Sequence, residues 1–269
     1  MTKYISAALS DVGVSRSNNE DYVIAAPKQN FWVLADGVGG HDAGEIASEL
    51  ACQVIARDMT AGVGVDQAIL NAHQSILTAV AQGVGKANMA TTIVVLAVDQ
   101  NDCRVSWVGD SRAYLVNTGF CRQVTRDHSY VQRLIDAGEI TPKQAREHPY
   151  KNVVLQVLGM NNGEPIEVDS VQFSVKLGDV IVLCSDGISD VLSNDDISLL
   201  VNSEPDLDKV AAQMIAQAIT KGSQDNLAVQ LIKNVDAHAQ RAVTLKINRS
   251  ETMLNYLKNM VINLMSKGK

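Results

Sequence analysis

Seven short apolar runs along the chain predict β-strands, because they are rich in β-branched and aromatic residues. They are YISAAL (4–9), FWVLA (31–35), TTIVVLAV (91–98), RVSWVG (104–109), AYLV (113–116), VIVLC (180–184) and NLAVQLI (226–232). Apolar residues recur every three or four positions from Ala43 to Met59 and from Asp66 to Gln82, which predicts two helices. Two consecutive helices beside strand pairs favour an α+β fold with antiparallel sheets over strict βαβ alternation.

The stretch from 120 to 165 has a different, polar pattern. It predicts one short helix from about His128 to Ala137, and Pro142 and Pro149 exclude any long element after it. Inserted segments of this kind are commonly mobile and close to a functional site. The alternative is that this segment is a surface loop without a functional role.

Length and composition favour one large globular domain, since the chain has 269 residues of which 46% are hydrophobic. The sequence contains no apolar run of 18 residues, and its first residues make a poor secretory signal, so we expect a cytoplasmic protein. The net charge of -7 argues against a general nucleic-acid binder. Four scattered cysteines, Cys52, Cys103, Cys121 and Cys184, lack metal-ligand spacing and are expected to be small buried apolar residues.

The C-terminal tail, residues 236–269, differs in charge from the rest of the chain. From Ala237 onward there are six Lys and Arg residues and one Glu, a net charge of +5. A basic amphipathic helix is predicted from Ser250, because apolar residues from Met253 to Leu264 share one helical face. Such a helix packs on its own domain, binds a protein partner or lies on an anionic membrane, and the sequence leaves these alternatives open.

Carboxylates stand at the ends of several predicted strands. Asp36, Asp110 and Asp186 each follow an apolar run, and Asp225 comes just before one. Acids that converge at one edge of a sheet repel each other unless they are protonated or bridged by cations. Oxygen ligands without histidine or cysteine select hard divalent ions such as Mg²⁺ or Mn²⁺.

The glycine-rich loop DGVGGHDAG (36–44) is interpreted as a frame for Asp36 and not as a phosphate cradle. It lacks the spacing of a dinucleotide-binding loop and the GK[ST] ending of a P-loop. Gly37 and Gly187 each follow an acid and allow a sharp turn. Asp-Gly alone is an ordinary turn dipeptide. Two Asp-Gly pairs after apolar runs, together with the motifs GDSR and SQDN, are not well explained as chance turns.

One further acidic motif, DLDKV (206–210), formally fits the pattern of phosphatases that form an aspartyl phosphate. It precedes the apolar stretch AAQMIAQAI, so we interpret Asp206 and Asp208 as acids in the first turn of a helix, where the helix dipole favours them.

The motifs taken together resemble a known family. They are RSNNED (16–21), ADGVGGHDAGE (35–45), MATTIVVLAV (89–98), VGDSRAYLV (108–116), TRDHSYV (125–131), LCSDGISDVL (183–192) and GSQDNLAVQLI (222–232). In this order they resemble the metal-dependent protein serine/threonine phosphatases, PPM type 2C, in their bacterial form. The resemblance covers residues 1–235, which it delimits as a phosphatase domain, and implies a four-layer α-β-β-α sandwich of two antiparallel sheets flanked by helix pairs.

The resemblance also implies a binuclear Mn²⁺ or Mg²⁺ centre with catalytic Asp36 between the two ions. By position, the Gly37 carbonyl, Asp186 and Asp225 complete the ligands, and Asp110 with Asp186 matches a third ion site of bacterial members. Glu20 and Asp21 are expected to hold metal-bound waters, and Arg16 to bind the substrate phosphate through its planar guanidinium. A water that bridges two cations is hydroxide-like and attacks phosphorus in line.

The chain departs from the family pattern at two positions. Eukaryotic members read DGHxG, whereas Val38 follows Asp36-Gly37 here and the histidine comes at His41. His41 either donates a proton to the leaving group, orients substrate or has no chemical role. Where many bacterial relatives carry an arginine after the flap (residues 128–150), this chain has Gln156, which puts any substrate contact by that arginine in doubt.

The function implied is hydrolysis of phosphoserine and phosphothreonine in proteins, opposing a bacterial Ser/Thr kinase. The expected partners are therefore phosphorylated proteins, a cognate kinase and its targets, without nucleic acid. Control of type VI secretion is one of several pathways that fit. A catalytically silent phosphoprotein-binding module of the same fold is the alternative, although every expected metal-binding acid is present in the sequence.

Overall fold

Two β-sheets form the centre of the protein in a computed structural model that describes residues 4–39, 43–160, 163, 165–235 and 245–246. The strands are β1 (Tyr4–Asp11), β2 (Asp21–Ala26), β3 (Phe31–Val38), β4 (Ala90–Thr91), β5 (Ile93–Asp99), β6 (Asp102–Val108), β7 (Arg112–Asn117), β8 (Phe120–Gln123), β9 (Asp169–Ser174), β10 (Val180–Cys184), β11 (Leu227–Asn234) and β12 (Leu245–Lys246). One sheet has the order β12-β1-β11-β10-β7-β8 and the other β2-β3-β5-β6-β9, with β4 beside β3. Among the described strands all pairs are antiparallel except β1 with β12.

Seven helices are described, and two pairs of them cover the outer faces of the sheets. The helices are α1 (Ala43–Thr60), α2 (Val65–Ala81), α3 (Tyr130–Asp136), α4 (Pro142–Arg146), α5 (Asp186–Ser189), α6 (Asn194–Ser203) and α7 (Leu207–Thr220). The pair α1 and α2 packs on the sheet that contains β3, and α6 and α7 pack on the sheet that contains β10. The α+β sandwich of four layers implied by the family resemblance is confirmed.

Central strands contribute to two apolar cores at once, because side chains alternate between the faces of a strand. In β3, Phe31 and Val33 pack toward α1 and α2, whereas Trp32 and Leu34 pack between the two sheets. Both faces are therefore buried, which explains why the predicted strands are continuous apolar runs without polar alternation.

All seven predicted strands are confirmed, and the run at 91–98 is divided between β4 and β5. The helices predicted from Ala43 and Asp66 correspond to α1 and α2, and the short helix predicted from His128 is α3. Strands β2, β8 and β9 were not predicted, because only the first half of β2 is fully buried and the other two are exposed or half-buried along most of their length. Pro142 begins α4, where its missing N–H costs nothing, and Thr141 caps that helix.

Two smaller predictions are also confirmed. The Asp206 carboxylate caps α7 by accepting a hydrogen bond from the Asp208 N–H at 3.2 Å, so DLDKV begins a helix. All four cysteines are free thiols, and Cys52, Cys103 and Cys184 are buried as predicted, whereas Cys121 is only half-buried. Within the described residues, each helix is too short or too polar to cross a membrane. The helix predicted from Ser250 lies outside the described residues.

Candidate metal centre and active site

Five aspartates that are far apart in sequence meet at one end of the sandwich. This carboxylate end consists of Asp21, Asp36, Asp110, Asp186 and Asp225. Burial raises the pKa of Asp36 well above its usual range, and the charges of the other four raise it further. The acids predicted to converge at the sheet edge do so, and Asp21 joins them.

Asp36 lies inside β3, directly opposite Asp21 on β2. Its backbone carbonyl accepts hydrogen bonds from the Thr91 hydroxyl and the Thr92 N–H, both at 2.8 Å. Its N–H donates to the Thr92 hydroxyl at 3.3 Å. The apolar run predicted Asp36 just after a strand, whereas β3 continues to Val38, so the position of Asp36 is set by strand pairing and not by a loop.

Glycines beside Asp36 allow α1 to approach β3 closely. A Cβ at Gly37 would lie 2.2 Å from the carbonyl oxygen of Gly44, and a Cβ at Gly44 would lie 2.6 Å from Oε2 of Glu20. The Gly37 N–H donates to the Glu20 carbonyl at 3.1 Å. The glycines of this loop therefore permit contact between backbone segments and bring Glu20 to the start of α1, a use that differs from a phosphate cradle.

Asp186 is the first residue of α5, and one residue, Ser185, separates it from β10. The hydroxyl of the preceding Ser185 donates to Oδ2 of Asp21 at 2.7 Å and accepts from the Ala228 N–H at 2.9 Å. This fully buried serine ties Asp21 of one sheet to β10 and β11 of the other. The two sheets are thus held in register where the acids meet.

Asp186 and Asp225 are brought together by a close contact between their neighbours. A Cβ at Gly187 would lie 2.0 Å from the carbonyl oxygen of Asn226, so only glycine fits. The Ser223 hydroxyl donates to the Gly187 carbonyl at 2.7 Å. The sequence indicated that Gly187 turns the chain, but not which segment it contacts.

Asn226 organises the loop that carries Arg16 and Glu20. Its amide group donates to the carbonyls of Val12 and Asn18, both at 2.9 Å, and its Oδ1 accepts from the Glu20 N–H at 2.9 Å. Sequence reasoning did not single out Asn226, although it stands in the motif SQDN. The signal available was a polar residue at the first position of an apolar strand, where a buried amide needs partners.

Arg16 lies at the exposed rim of the carboxylate end. Its Nη2 donates to Oδ2 of Asp225 at 2.7 Å, and the two side chains are 51% and 38% exposed. The hydrogen bond with Asp225 raises the pKa of Arg16. A guanidinium that is half in solvent and paired with one carboxylate keeps N–H donors for an incoming anion.

The ionisation of these acids reflects burial first and mutual repulsion second. Burial raises the pKa of Asp21 and Asp110 well above the usual range, and neighbouring carboxylates add to the effect. Burial and the charge of Asp225 raise the pKa of Asp186 to about 6, although a hydrogen bond with Asp36 partly opposes them. Without a cation, the carboxylate end therefore favours bound protons.

The donor chemistry fits a hard divalent ion. Oδ1 of Asp21 is buried and lacks a hydrogen-bond partner among the described residues. The acids offer oxygen donors only, which suits Mg²⁺ or Mn²⁺. Within the described part of the chain, no three of these acids lie close enough together to hold one ion, and Oδ2 of Asp225 is bonded to Arg16.

Asp110 follows β6 at the side of the carboxylate end that faces the flap. It is 8% exposed, and the nearby Arg112 partly opposes the rise in its pKa. Arg112 donates to both carboxylate oxygens of Asp127. Gly109, beside Asp110, donates its N–H to Nδ1 of His128 at 3.2 Å. The flap is therefore connected to Gly109, the residue before Asp110.

Two other predicted positions lie at or beyond the edge of this site. Gln156 lines a cavity of about 590 Å³ beside the flap, and its Oε1 accepts from the Glu167 N–H at 3.0 Å. His41 lies outside the described residues. Its three possible roles stay predictions.

Comparison with known proteins gives one consistent family. Residues 14–232 match the family model for protein phosphatase 2C. The chain is 35% identical over 236 residues to the serine/threonine protein phosphatase PstP of Mycobacterium tuberculosis, which covers 86% of this chain and 45% of that protein. It is 32% identical over 249 residues to protein phosphatase PhpP of Streptococcus pneumoniae, covering 86% and 98%. The chain thus spans less than half of PstP but nearly all of PhpP.

Solved structures agree with this assignment. The catalytic domain of PstP in complex with two manganese ions superposes with a TM-score of 0.77, at 33% identity over 87% of this chain and 99% of that one. PppA, a regulatory component of the type VI secretion system in Pseudomonas aeruginosa, superposes with a TM-score of 0.72, at 30% identity over 86% and 97%. On these matches and on the geometry of the carboxylate end, the chain belongs to the protein phosphatase 2C family, as the motifs predicted.

Proposed function

We propose that the chain is a metal-dependent protein phosphatase that hydrolyses phosphoserine and phosphothreonine. The observation that carries the proposal is the carboxylate end itself, where buried aspartates with raised pKa values lie beside the exposed guanidinium of Arg16. Buried acids of like charge are unfavourable for folding, so their presence at one spot beside an anion-binding group indicates a functional centre.

We infer that the carboxylate end holds two divalent ions, Mn²⁺ or Mg²⁺, as the PstP catalytic domain holds two manganese ions. Asp36, the Gly37 carbonyl, Asp186 and Asp225 are the proposed ligands. Asp110 with Asp186 is the proposed site of a third ion. The partnerless Oδ1 of Asp21 and the approach of Glu20 to the same end support a role for both in holding waters of the centre.

When bound, such ions supply Lewis-acid stabilisation of the transition state and lower the pKa of water toward neutrality. The protein's own part is to hold the carboxylates in position. Register pairing of Asp21 with Asp36 and the Ser185 hydrogen bond to Asp21 do this through the backbone and one buried hydroxyl. These contacts fix Asp21 and Asp36 relative to each other.

Arg16 is the proposed phosphate-binding residue. Its pairing with Asp225 leaves part of the guanidinium fork open at the solvent edge. A phosphate dianion accepts two parallel hydrogen bonds from such a fork, which is why arginine suits it better than lysine. We expect the phosphate to replace part of the Asp225 contact, which frees that carboxylate for an ion.

The expected partners are phosphorylated proteins, as for the serine/threonine phosphatases PstP and PhpP, and a cognate kinase. The pathway stays open, since the likeness to PppA (TM-score 0.72) is no greater than that to PstP (0.77). The cytoplasmic location, the phosphatase domain limits at 1–235 and the partner or membrane role of the tail also stay predictions. The alternative is a silent binding module of the same fold. A missing metal ligand would support it, but every proposed ligand is present in the sequence.

Hydrolysis of p-nitrophenyl phosphate and of a phosphothreonine peptide, with Mn²⁺ titrated against EDTA, tests the function. We expect turnover that requires the metal and that falls about a thousandfold in Asp36→Asn, since metal catalysis supplies several kcal/mol of transition-state stabilisation.

The matched control is Asp99→Asn, an exposed aspartate at the end of β5 that is expected to keep full turnover. A wild type that binds Mn²⁺ and the phosphopeptide but hydrolyses neither substrate would support the silent module instead.

A further inference from the structure

Thr92 lies next to Asp36 in the sheet, and its side chain takes part in the strand pairing. The pairings of β3 with β4 and with β5 share one register, which places Thr92, the residue between those two strands, opposite Asp36. Hydrogen-bonded partners in an antiparallel ladder normally exchange two N–H···O=C bonds. Here the Thr92 N–H donates to the Asp36 carbonyl at 2.8 Å, but the Asp36 N–H donates to the Thr92 hydroxyl at 3.3 Å. A side chain therefore replaces one of the two backbone bonds.

The bond from Asp36 depends on the chemistry of residue 92, because this part of the sheet is closed to solvent. Thr92 is 1% exposed, so water does not readily take the place of its hydroxyl. An aliphatic side chain of the same shape would leave the Asp36 N–H without this acceptor, and an unpaired buried donor lowers stability. The backbone position of Asp36 is therefore set by strand pairing together with one hydroxyl.

The same hydroxyl is bonded to the segment that carries Asp110. Oγ1 of Thr92 lies 2.7 Å from Oγ of Ser111, which is also 1% exposed, and the two hydroxyls share a hydrogen bond. A hydroxyl donates one hydrogen bond and accepts two, so Thr92 satisfies both partners at once. One buried hydroxyl thus connects Asp36, the proposed ligand between two ions, with the residue that follows Asp110.

Close packing against Thr92 holds the other side of Asp110. Gly109, the residue before Asp110, has a φ of +107°, and a Cβ there would lie 2.6 Å from Cβ of Thr92. Only glycine fits at this position, because of both its backbone conformation and the approach of Thr92. Asp110 therefore lies between two contacts with one side chain, a steric contact at Gly109 and a hydrogen bond at Ser111.

We propose that Thr92 is a positioning residue whose hydroxyl sets Asp36 and Asp110 relative to each other. The proposal rests on the proposed function, since that function assigns metal ions to these two acids. Serine at position 92 should preserve the role in large part because it keeps the hydroxyl, whereas valine keeps the shape and loses the role. If Thr92 served stability alone, loss of its hydroxyl would lower the melting temperature without changing how ions bind.

Amide hydrogen exchange of the full chain in EDTA tests the bond to Asp36 without any metal. In Thr92→Val we expect the Asp36 N–H to exchange about tenfold faster than in the wild type, the scale of one lost hydrogen bond, relative to the Leu34 N–H in the middle of β3. Thr92→Ser should restore most of the protection. Unchanged exchange of the Asp36 N–H in Thr92→Val would overturn the proposal.

Calorimetric titration with Mn²⁺ tests the positioning role itself. Thr92→Val should weaken Mn²⁺ binding about 10–100-fold, the usual effect of losing a group that orients a metal ligand, and Thr92→Ser should restore most of the affinity.

The matched control is Thr125→Val. Thr125 is 6% exposed, and its hydroxyl accepts from the Ala113 N–H at 3.1 Å, a bond that contains no proposed metal ligand. This variant should lower the melting temperature in EDTA by about as much as Thr92→Val does, and it should keep the Mn²⁺ affinity of the wild type. Affinity within twofold of the wild type in Thr92→Val, or an equal loss in Thr125→Val, would overturn the proposal.

A further variant, Ser111→Ala, separates the two ends of the connection and carries the test if Thr92→Val does not fold. It leaves the bond from Asp36 to Thr92 in place and removes only the link to the Asp110 segment. The weakest Mn²⁺ binding step should therefore lose about tenfold in affinity while the tighter steps are kept, and an unchanged weakest step would overturn the link. A wild type that binds Mn²⁺ without turnover would reject the proposed function, whereas the exchange and affinity comparisons would still decide the role of Thr92.

Discussion

Aspartates behave in opposite ways at the carboxylate end and at the start of α6. At the carboxylate end, burial raises the pKa of Asp186 to about 6. At the start of α6, burial of Asp196 is outweighed by hydrogen bonds from Lys221 and Ser193, which lower its pKa to about 2. Asp196 also forms a capping box with Ser193. One residue type therefore opposes folding in the first region and supports it in the second.

The difference shows how the two regions are held together. Asp196 is stabilised by its own partners, including Lys221 at 2.6 Å. The acids at the carboxylate end repel each other, so backbone contacts between glycines and strands must hold them in place. A region held by its backbone against its own charges is typical of a site selected for function and not for stability.

The largest effect should come from filling the backbone contact at Gly187. In Gly187→Ala the new Cβ meets the carbonyl oxygen of Asn226 at 2.0 Å, and overpacking of this kind lowers the free energy of unfolding by about 3 kcal/mol. Mn²⁺ affinity should fall as well, because Asp186 and Asp225 move apart. Urea unfolding in EDTA and Mn²⁺ titration measure the two effects.

The control is Gly64→Ala, since a Cβ there meets no atom within 4 Å and the residue has an ordinary φ of -63°. It should change stability by no more than about 0.5 kcal/mol. Equal stability of the two variants would mean that side chains, not the backbone contact, hold the carboxylate end together.

Removal of the buried amide in Asn226→Ala should have the next largest effect. Three hydrogen bonds to the loop of residues 12–20 are lost, which costs about 2–4 kcal/mol of unfolding free energy. KM for a phosphopeptide should rise, because Arg16 is carried by that loop. The matched change Asn202→Ala, on the exposed side of α6, should leave KM unaltered. A rise in KM of the same size in both variants would contradict the proposed role of Asn226.

Neutralising one acid in each region should change stability in opposite directions. In EDTA, Asp36→Asn removes repulsion at the carboxylate end and should raise the free energy of unfolding by about 1 kcal/mol, the scale of one pKa unit. Asp196→Asn removes the hydrogen bonds to Lys221 and Ser193 and should lower it. Chemical denaturation at pH 7 measures both changes. A loss of stability in Asp36→Asn would show that the carboxylates there are not in net repulsion.

The smallest effect concerns pH. Because the pKa of folded Asp196 is about 2 and its ordinary value is 3.8, its contribution is fully present above about pH 4 and is lost as pH falls toward 2. The stability difference between wild type and Asp196→Asn should shrink over this range, by no more than about 1 kcal/mol, since the pair is partly exposed to solvent. A difference that is constant from pH 6 to pH 3 would rule out this linkage.

Four acids of the carboxylate end were predictable from the sequence, whereas some of the residues that hold them in place were not. Asp36, Asp110, Asp186 and Asp225 were recognisable because apolar runs end or begin beside them. Asn226 and Ser185 were not, because their importance depends on hydrogen bonds to segments that are up to 214 residues away in the chain. The role of the Thr92 hydroxyl was equally invisible, since its partners Asp36 and Ser111 come from separate segments.

By itself the sequence determined the seven apolar strands, the two long helices and the order of the acids and glycines, because apolar periodicity and the special geometry of glycine are local properties. Only the tertiary structure decided that Asp21 lies opposite Asp36, that Arg16 is paired with Asp225, and that the acids carry raised pKa values. These depend on distances between segments remote in sequence. Such distances are set by strand register and by the packing of two sheets, which no local pattern encodes.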